Sequence, residues 1–294
     1  MATYSIKDLE KLSGIKAHTI RIWEKRYSLV SPCRTNTNIR YYSDSDLRRL
    51  MNVSILARNG IKISKIANLG NEEISEKVLM FNQKFGNTEN QIESLVISMI
   101  ELDENKFDRL LSNLIIKFGF ENTFLQVLHP FFERIGLLWQ AGTIIPAHEH
   151  FISNLVRQKI IVAIDSHRDQ PIIKKNQFML FLPEGEMHEL GLLFNQYLLR
   201  KRGYKSIYLG QSLPINDLTS IVEFSKTNYF VTSLTNSLTE KKFNDLMGKM
   251  VETFSNSKIF ILGAQTANIT QKLGDNFIKI PNVLDLIPYL DSID

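Results

Sequence analysis

The residues of this chain best suited to chemistry lie in "PEGEMHELG", positions 183–191, where Glu186, His188 and Gly191 stand in the order E-x-H-x-x-G. The apolar run "FMLFLP" leads into them and a helical pattern comes after, so the histidine belongs on a loop leaving a buried strand. An imidazole there can ligate a metal, act as a catalytic base, or simply face solvent. The stretch by itself does not choose among the three. A second group is Trp139, followed after nine residues by Glu149 and His150. "HEH" at 148–150 invites a zinc site, but histidines two apart on a helix point to different faces. His148 and His150 therefore make a poor chelating pair.

Composition limits what can position these groups. At 294 residues, 44% of them hydrophobic, the chain is long enough for two or three domains with real cores. There is no run of eighteen apolar residues, and no membrane span is expected. "MATYSIKDLEKLSG" lacks the basic start and apolar middle of a signal peptide. The single cysteine, Cys33, excludes an internal disulfide and is read as a bystander thiol in a reducing cytoplasm. Charge is uneven. Residues 1–70 hold six lysines and seven arginines against five acids, a net +8, while the remaining 224 residues hold 22 basic and 26 acidic groups, a net −4. A basic head on a mildly acidic body predicts a polyanion partner for the head alone.

In the head, Ser5 and Asp8 are spaced as a capping box, Ile6, Leu9 and Leu12 recur at helical spacing, and Gly14 stops the helix. "KAHTIRIWEKRY" makes a second helix, with Ile20 and Trp23 on its inner face and Thr19, Arg21, Lys25 and Arg26 largely elsewhere. Two short helices joined across "SGIK" form a helix-turn-helix whose second helix would enter the major groove. "SLVSPCRTNTNIRYYS" reads as a β-hairpin, "DSDLRRLMNVSILARNG" as a helix ending at Gly60, and "ISKIANL" as one more short helix. "IRIWEKRY", "RTNTNIRYYSDSDLRRL" and "LARNGIKISKI" occur in this order over residues 3–70, which resembles the MerR family of winged-helix regulators. The resemblance implies double-stranded DNA as partner and dimers on near-palindromic sites. It places Arg21, Arg26 and Tyr27 at recognition-helix positions, and Arg40 and Tyr41 where the wing grips phosphate.

Two polar stretches, "NLGNEEISEKV" and "QKFGNTENQ", are expected to link the head to the rest of the chain. Four helical segments then run from residue 91 to 165, joined by short breaks, and argue a helical bundle. Within it, the Trp139-x9-Glu149-His150 spacing resembles the helical cap of cobalamin-binding, light-sensing regulators of the CarH and CarA type. By that resemblance the indole, carboxylate and imidazole pack around the upper ligand of cobalt, here a 5′-deoxyadenosyl group. One departure is Gln140, where the light-sensing members carry a histidine; an amide is a far weaker cobalt ligand.

From residue 177, short apolar runs alternate with helical stretches, which argues a doubly wound parallel sheet. In such sheets ligands sit at the carboxyl ends of the strands, where His188, the "SLT" of 233–235 and Gly263 would converge. This region resembles the cobalamin-binding Rossmann-like domain shared with methionine synthase and the mutases. His188 then matches the lower axial cobalt ligand, Glu186 its carboxylate partner and Gly191 a close-packing glycine. Ser233 and Thr235 match the motif facing the displaced dimethylbenzimidazole tail. A second departure is "ILGAQ", where Leu262 replaces the first of two adjacent glycines and narrows the room for that tail.

The expected fold class is therefore multidomain α and α/β. It comprises a winged helix-turn-helix head at 1–72, a four-helix bundle cap at 88–168 and a Rossmann-like doubly wound parallel sheet at 175–294. The expected function is a cytoplasmic transcriptional regulator of the repressor kind, homo-oligomeric, controlled by adenosylcobalamin and by light. Two alternatives stay open. One is a cofactor-independent repressor whose degenerate domain binds a protein antirepressor. The other is a cobalamin-dependent methyltransferase or mutase subunit, against which the DNA-binding head argues. His18, His129 and His167 are given no role.

Overall fold

A computed structural model describes residues 3–84, 88–225, 227, 229–236, 238–269 and 273–293. They form two compact units, 1–155 and 156–294. The first opens with β1 (Thr3–Tyr4), α1 (Ile6–Ser13), α2 (Ala17–Tyr27), β2 (Cys33–Arg34), β3 (Arg40–Ser43), α3 (Asp44–Arg58) and α4 (Ile63–Ile66). Capping boxes start α1 at Ser5/Asp8 and α3 at Ser43/Asp46, each satisfying two amide groups at the helix end. Gly14, with φ 70°, closes α1 in the left-handed region that glycine enters without strain. The three strands pair antiparallel in the order β1-β3-β2 and make the wing. Leu9, Leu12, Ile20, Leu47 and Leu50 are fully buried and form the head's core.

The expected linker "NLGNEEISEKV" is instead largely helical: α5 spans Asn71–Lys84. Glu73 accepts the Gly70 amide at 2.9 Å, and Glu72 and Glu73 suit the positive end of the helix. Ile74 and Val78, one turn apart, bury a stripe, and α5 packs on α3. Of the second expected linker, residues 85–87 lie outside the described residues; on either side of them the chain is helical.

The bundle comprises α6 (Thr88–Ile100), α7 (Glu104–Phe118), α8 (Phe120–Thr123), α9 (His129–Gln140) and α10 (Pro146–Asp165). A π-turn at Phe124–Leu128 joins α8 to α9, since Pro130 has no amide to donate and the helical ladder widens ahead of it. Helix α6 is buried all round, its Glu93, Ser94 and Ser98 as well as its Leu95, Ile97 and Met99. A helix without a solvent face needs neighbours on every side. It packs against α7 and α9 of the bundle and also against α3 of the head. The head and most of the bundle, expected as separate segments, thus share the first unit. The division between units falls inside α10.

The second unit holds β4 (Gln177–Pro183), α11 (Leu190–Lys201), β5 (Lys205–Leu213), α12 (Ile215–Phe224), β6 (Tyr229–Ser233), α13 (Glu240–Thr253), β7 (Lys258–Leu262), β8 (Phe277–Ile280) and α14 (Val283–Ser292). Its sheet is parallel throughout in the order β5-β4-β6-β7-β8. On one face Met179, Phe181, Phe230 and Ile261 meet Leu218 of α12 and Met247 of α13. On the other, Phe178 stacks on Tyr229 at 5.0 Å and Phe260 meets Tyr289 of α14 at 5.9 Å. Burial on both faces is why β4 reads as an unbroken apolar run. The winding reverses between β4 and β6, and such a switch point opens a crevice at the strands' carboxyl ends.

Candidate functional site

His188 lies on the loop between β4 and α11, at that switch point. Its Nδ1 is 2.6 Å from Glu186 Oε1, which also accepts the His188 amide at 3.0 Å. Glu186 Oε2 accepts the amides of Thr235 and Asn236, both at 2.8 Å, from the loop after β6. From the other side, near the end of β5, Ser212 donates its amide to Glu186 O at 3.2 Å and Gln211 Nε2 donates to Met187 O at 2.7 Å. The loop is therefore pinned by both strands that flank β4. Glu186 is buried, while the His188 side chain is 58% exposed. Burial pushes the Glu186 carboxyl up, but the hydrogen bonds from His188 and from the Asn236, His188 and Thr235 amides outweigh it and bring it down to about 2. The ionised carboxylate favours the imidazole tautomer with its proton on Nδ1, so the basic lone pair is on Nε2.

Three residues of this site carried no sequence signal. Glu189, next to His188, is held by Arg157 Nε of α10 at 2.5 Å and by the Tyr208 hydroxyl of β5 at 2.8 Å. Burial first, and then the Glu189 carboxylate, push the Tyr208 hydroxyl up, so it stays a proton donor. Arg157 precedes Glu189 by 32 residues and Tyr208 follows it by 19, separations at which no periodicity announces a contact.

The other expected residues of this unit lie at strand ends and in α11. Ser233 ends β6, buried; Thr235 is exposed and meets Glu186 through its backbone amide. A Cβ added to Gly263 (φ 98°) would stand 2.5 Å from Leu234 O, so glycine is required there by the close approach of the β6 loop. At Gly191 an added Cβ would meet no atom of another element within 4 Å among the described residues. Leu262, paired with Ser233 in the sheet, is buried.

In the first unit, Trp139 sits one residue from the end of α9 and is 47% exposed. Glu149 takes a hydrogen bond from Ser153 at 2.6 Å and lies 3.1 Å from His150 Nδ1. The His150 side chain is 74% exposed whereas His148 is buried, so the two do point to different sides. Among the described residues no cluster of three or more His, Cys, Asp or Glu could cage a metal ion.

On α2, Arg21, Lys25 and Arg26 are exposed and Thr19 and Tyr27 half-buried, with the Arg26 guanidinium 5.5 Å from the Tyr27 ring. Trp23, expected in the core beside Ile20, is only half-buried; a step of three residues carries it to the edge of the inner face. In the wing, Tyr41 is half-buried and pairs with Cys33. Arg40, expected to grip phosphate, is tied to Glu24 of α2 at 3.1 Å, and the buried Tyr42 donates to the same carboxylate at 3.2 Å. Arg40 thereby fastens the wing to the recognition helix.

A basic winged helix-turn-helix and a helical bundle are followed along the chain by a parallel sheet with an imidazole at its switch point. The family described as MerR HTH family regulatory protein matches residues 4–73, and the B12 binding domain family matches residues 91–163. The chain thus carries a MerR-type helix-turn-helix region and a B12-binding domain. It is 27% identical over 255 residues to the HTH-type transcriptional repressor CarH of Myxococcus xanthus, covering 84% of each chain. It is 26% identical over 215 residues to the HTH-type transcriptional repressor CarA of the same organism, covering 72% of this chain and 69% of that one. Among solved structures, the Methanosarcina barkeri monomethylamine corrinoid protein superposes with a TM-score of 0.58 at 13% identity, covering 70% of this chain and all of that one. That likeness is one of fold.

Proposed function

We propose that the chain is a transcriptional repressor whose grip on DNA is set by adenosylcobalamin and, through it, by light. The observation that carries this is the Glu186–His188 pair clamped at the switch point. Its donor set fits cobalt: an imidazole fixed through Nδ1 by a carboxylate presents Nε2, the arrangement metal-binding histidines commonly use. With no cage of protein ligands beside it among the described residues, it suits a metal whose other positions a macrocycle fills. When bound, adenosylcobalamin supplies a cobalt–carbon bond that light cleaves.

His188 would hold the cobalt through Nε2 while Glu186 keeps the imidazole oriented. Trp139 would offer an apolar ring, and Glu149 and His150 polar partners, to the adenosyl group. Ser233, Thr235, Gly191 and Gly263 would border the nucleotide tail. Arg21, Lys25 and Arg26, with Thr19, Tyr27 and Tyr41 beside them, would meet the operator. Control requires the cofactor to favour the DNA-binding state, an oligomer of this cytoplasmic chain, over the separated one. Gln140 would offer cobalt only an amide in place of an imidazole, a far weaker ligand.

The buried Leu262 and the exposed Gln140 favour a second reading, a repressor that has lost the cofactor and answers to a protein antirepressor. One experiment separates the two. The chain is mixed in the dark with adenosylcobalamin and desalted, and spectra are taken before and after green light, beside His188→Ala. Colour retained only with His188 supports the cobalamin reading; a colourless wild-type chain ends it and turns the search to a protein partner.

A further inference from the structure

A circuit of polar contacts closes on the turn of the helix-turn-helix. Arg134 of α9 donates from Nη2 to Leu12 O, in the last turn of α1, at 2.9 Å. Its other terminal nitrogen lies 3.8 Å from Glu93 Oε1 on α6. The second oxygen of Glu93 is in direct ion-pair contact with Arg58 of α3. Arg58 donates to Ser54 Oγ at 3.1 Å, and Ser54 donates to Ser13 O at 3.0 Å, one residue beyond Leu12. Helices α1, α3, α6 and α9 are thus joined in a ring. Leu12 and Ser13 directly precede Gly14, the turn before the recognition helix.

The centre of the ring is a carboxylate whose side chain is only 3% exposed. Burial pushes the Glu93 carboxyl above its ordinary value, and Arg58 and Arg134 pull against it. Such an arrangement adds little stability over apolar packing of the same volume, yet losing one partner strands a buried charge. What directional contacts add over greasy ones is a single defined placement. That placement is of the DNA-reading head on the bundle, and one of its holders, Arg134, lies five residues before Trp139 on α9.

We propose that this ring fixes the recognition helix relative to the bundle. Glu93 and Arg134 are then positioning residues for DNA binding, and α9 is the route by which the cofactor site acts on the head. The second half rests on the cobalamin reading above; the first does not.

The test uses the full chain, with one spin label on the native, exposed Cys33 of the wing and another on Ile116→Cys, an exposed position of α7. Wild type gives one narrow interlabel distance. Arg134→Met broadens it, as does Arg58→Met/Glu93→Leu/Arg134→Met, which removes the ring without stranding a charge. A narrow peak persisting in the triple variant, with its helical signal and cooperative melting intact, overturns the proposal.

A second arm measures affinity, with and without adenosylcobalamin, for a duplex selected in vitro by the wild-type chain. Wild type changes about ten-fold, whereas the triple variant binds DNA but changes less than two-fold. A full response in the triple variant overturns the α9 route. If wild type itself does not respond, cofactor control fails, and the distance measurement alone decides the ring.

Discussion

The Glu186 carboxylate joins two loops at once: one oxygen meets His188 Nδ1 at 2.6 Å and the other accepts the amides of Thr235 and Asn236 at 2.8 Å each. The orientation of the imidazole is therefore set by the neighbouring strand β6 as well as by its own loop. Removing the partner that orients a metal-binding histidine costs about 10- to 100-fold in affinity. Glu186→Gln is expected to weaken cobalamin binding by that factor in a spectral titration. An unchanged affinity would show that His188 needs no orienting carboxylate.

The two site glycines should separate fold from ligand. Gly263→Ala forces a Cβ to 2.5 Å from Leu234 O at φ 98°, and is expected to cost on the order of 3 kcal/mol in denaturant melts. Gly191→Ala meets no atom of another element among the described residues and should melt as wild type does, yet retain less cobalamin after desalting. Should Gly191→Ala take up the cofactor normally, the space beside α11 is not where the ligand sits.

Salt dependence can sort the basic residues of the head. Among the described residues the exposed Arg21 makes no ion pair within the head, so Arg21→Ala should lower the slope of log affinity against log salt by about 0.9, one phosphate contact. Arg40 is neutralised by Glu24, so Arg40→Ala should leave that slope nearer wild type while loosening the wing. Equal loss of slope in both variants would return Arg40 to the role of a phosphate clamp.

His148 makes stability fall on the acid side. Burial lowers its pKa from 6.5, with Asp44 acting in the opposite direction, and its Nδ1 has no hydrogen-bond partner among the described residues. The fold holds the neutral ring, so this contribution is present above the unfolded value of 6.5 and is lost as pH falls through the lower folded value. Thermal melts of wild type should drop over that window. His148→Phe should lessen the drop, and an identical profile would mean that His148 is protonated in the folded chain at little cost.

Much of this was legible in local pattern. The capping box at Ser5, the stop at Gly14 and the alternation of apolar runs after residue 177 depend on neighbours in sequence, and the structure has each. The helix α5 was not legible, because its polar outer face masked a stripe of only a few apolar residues, among them Ile74 and Val78, and that stripe is stabilised by packing on α3. Nothing in the pattern of the wing announced that Arg40 also meets Glu24, sixteen residues away.

The sequence alone determined the order of elements, the basic head, and the E-x-H-x-x-G loop, since periodicity, capping and charge are properties of short stretches. Only the tertiary structure decided what those residues touch. It set Glu186 between His188 and the β6 loop, gathered Arg157 and Tyr208 onto Glu189, and closed Arg134, Glu93 and Arg58 on the turn of the head. These contacts join residues from two to more than a hundred positions apart. A contact at long range follows from which faces pack, and that is a property of the whole fold.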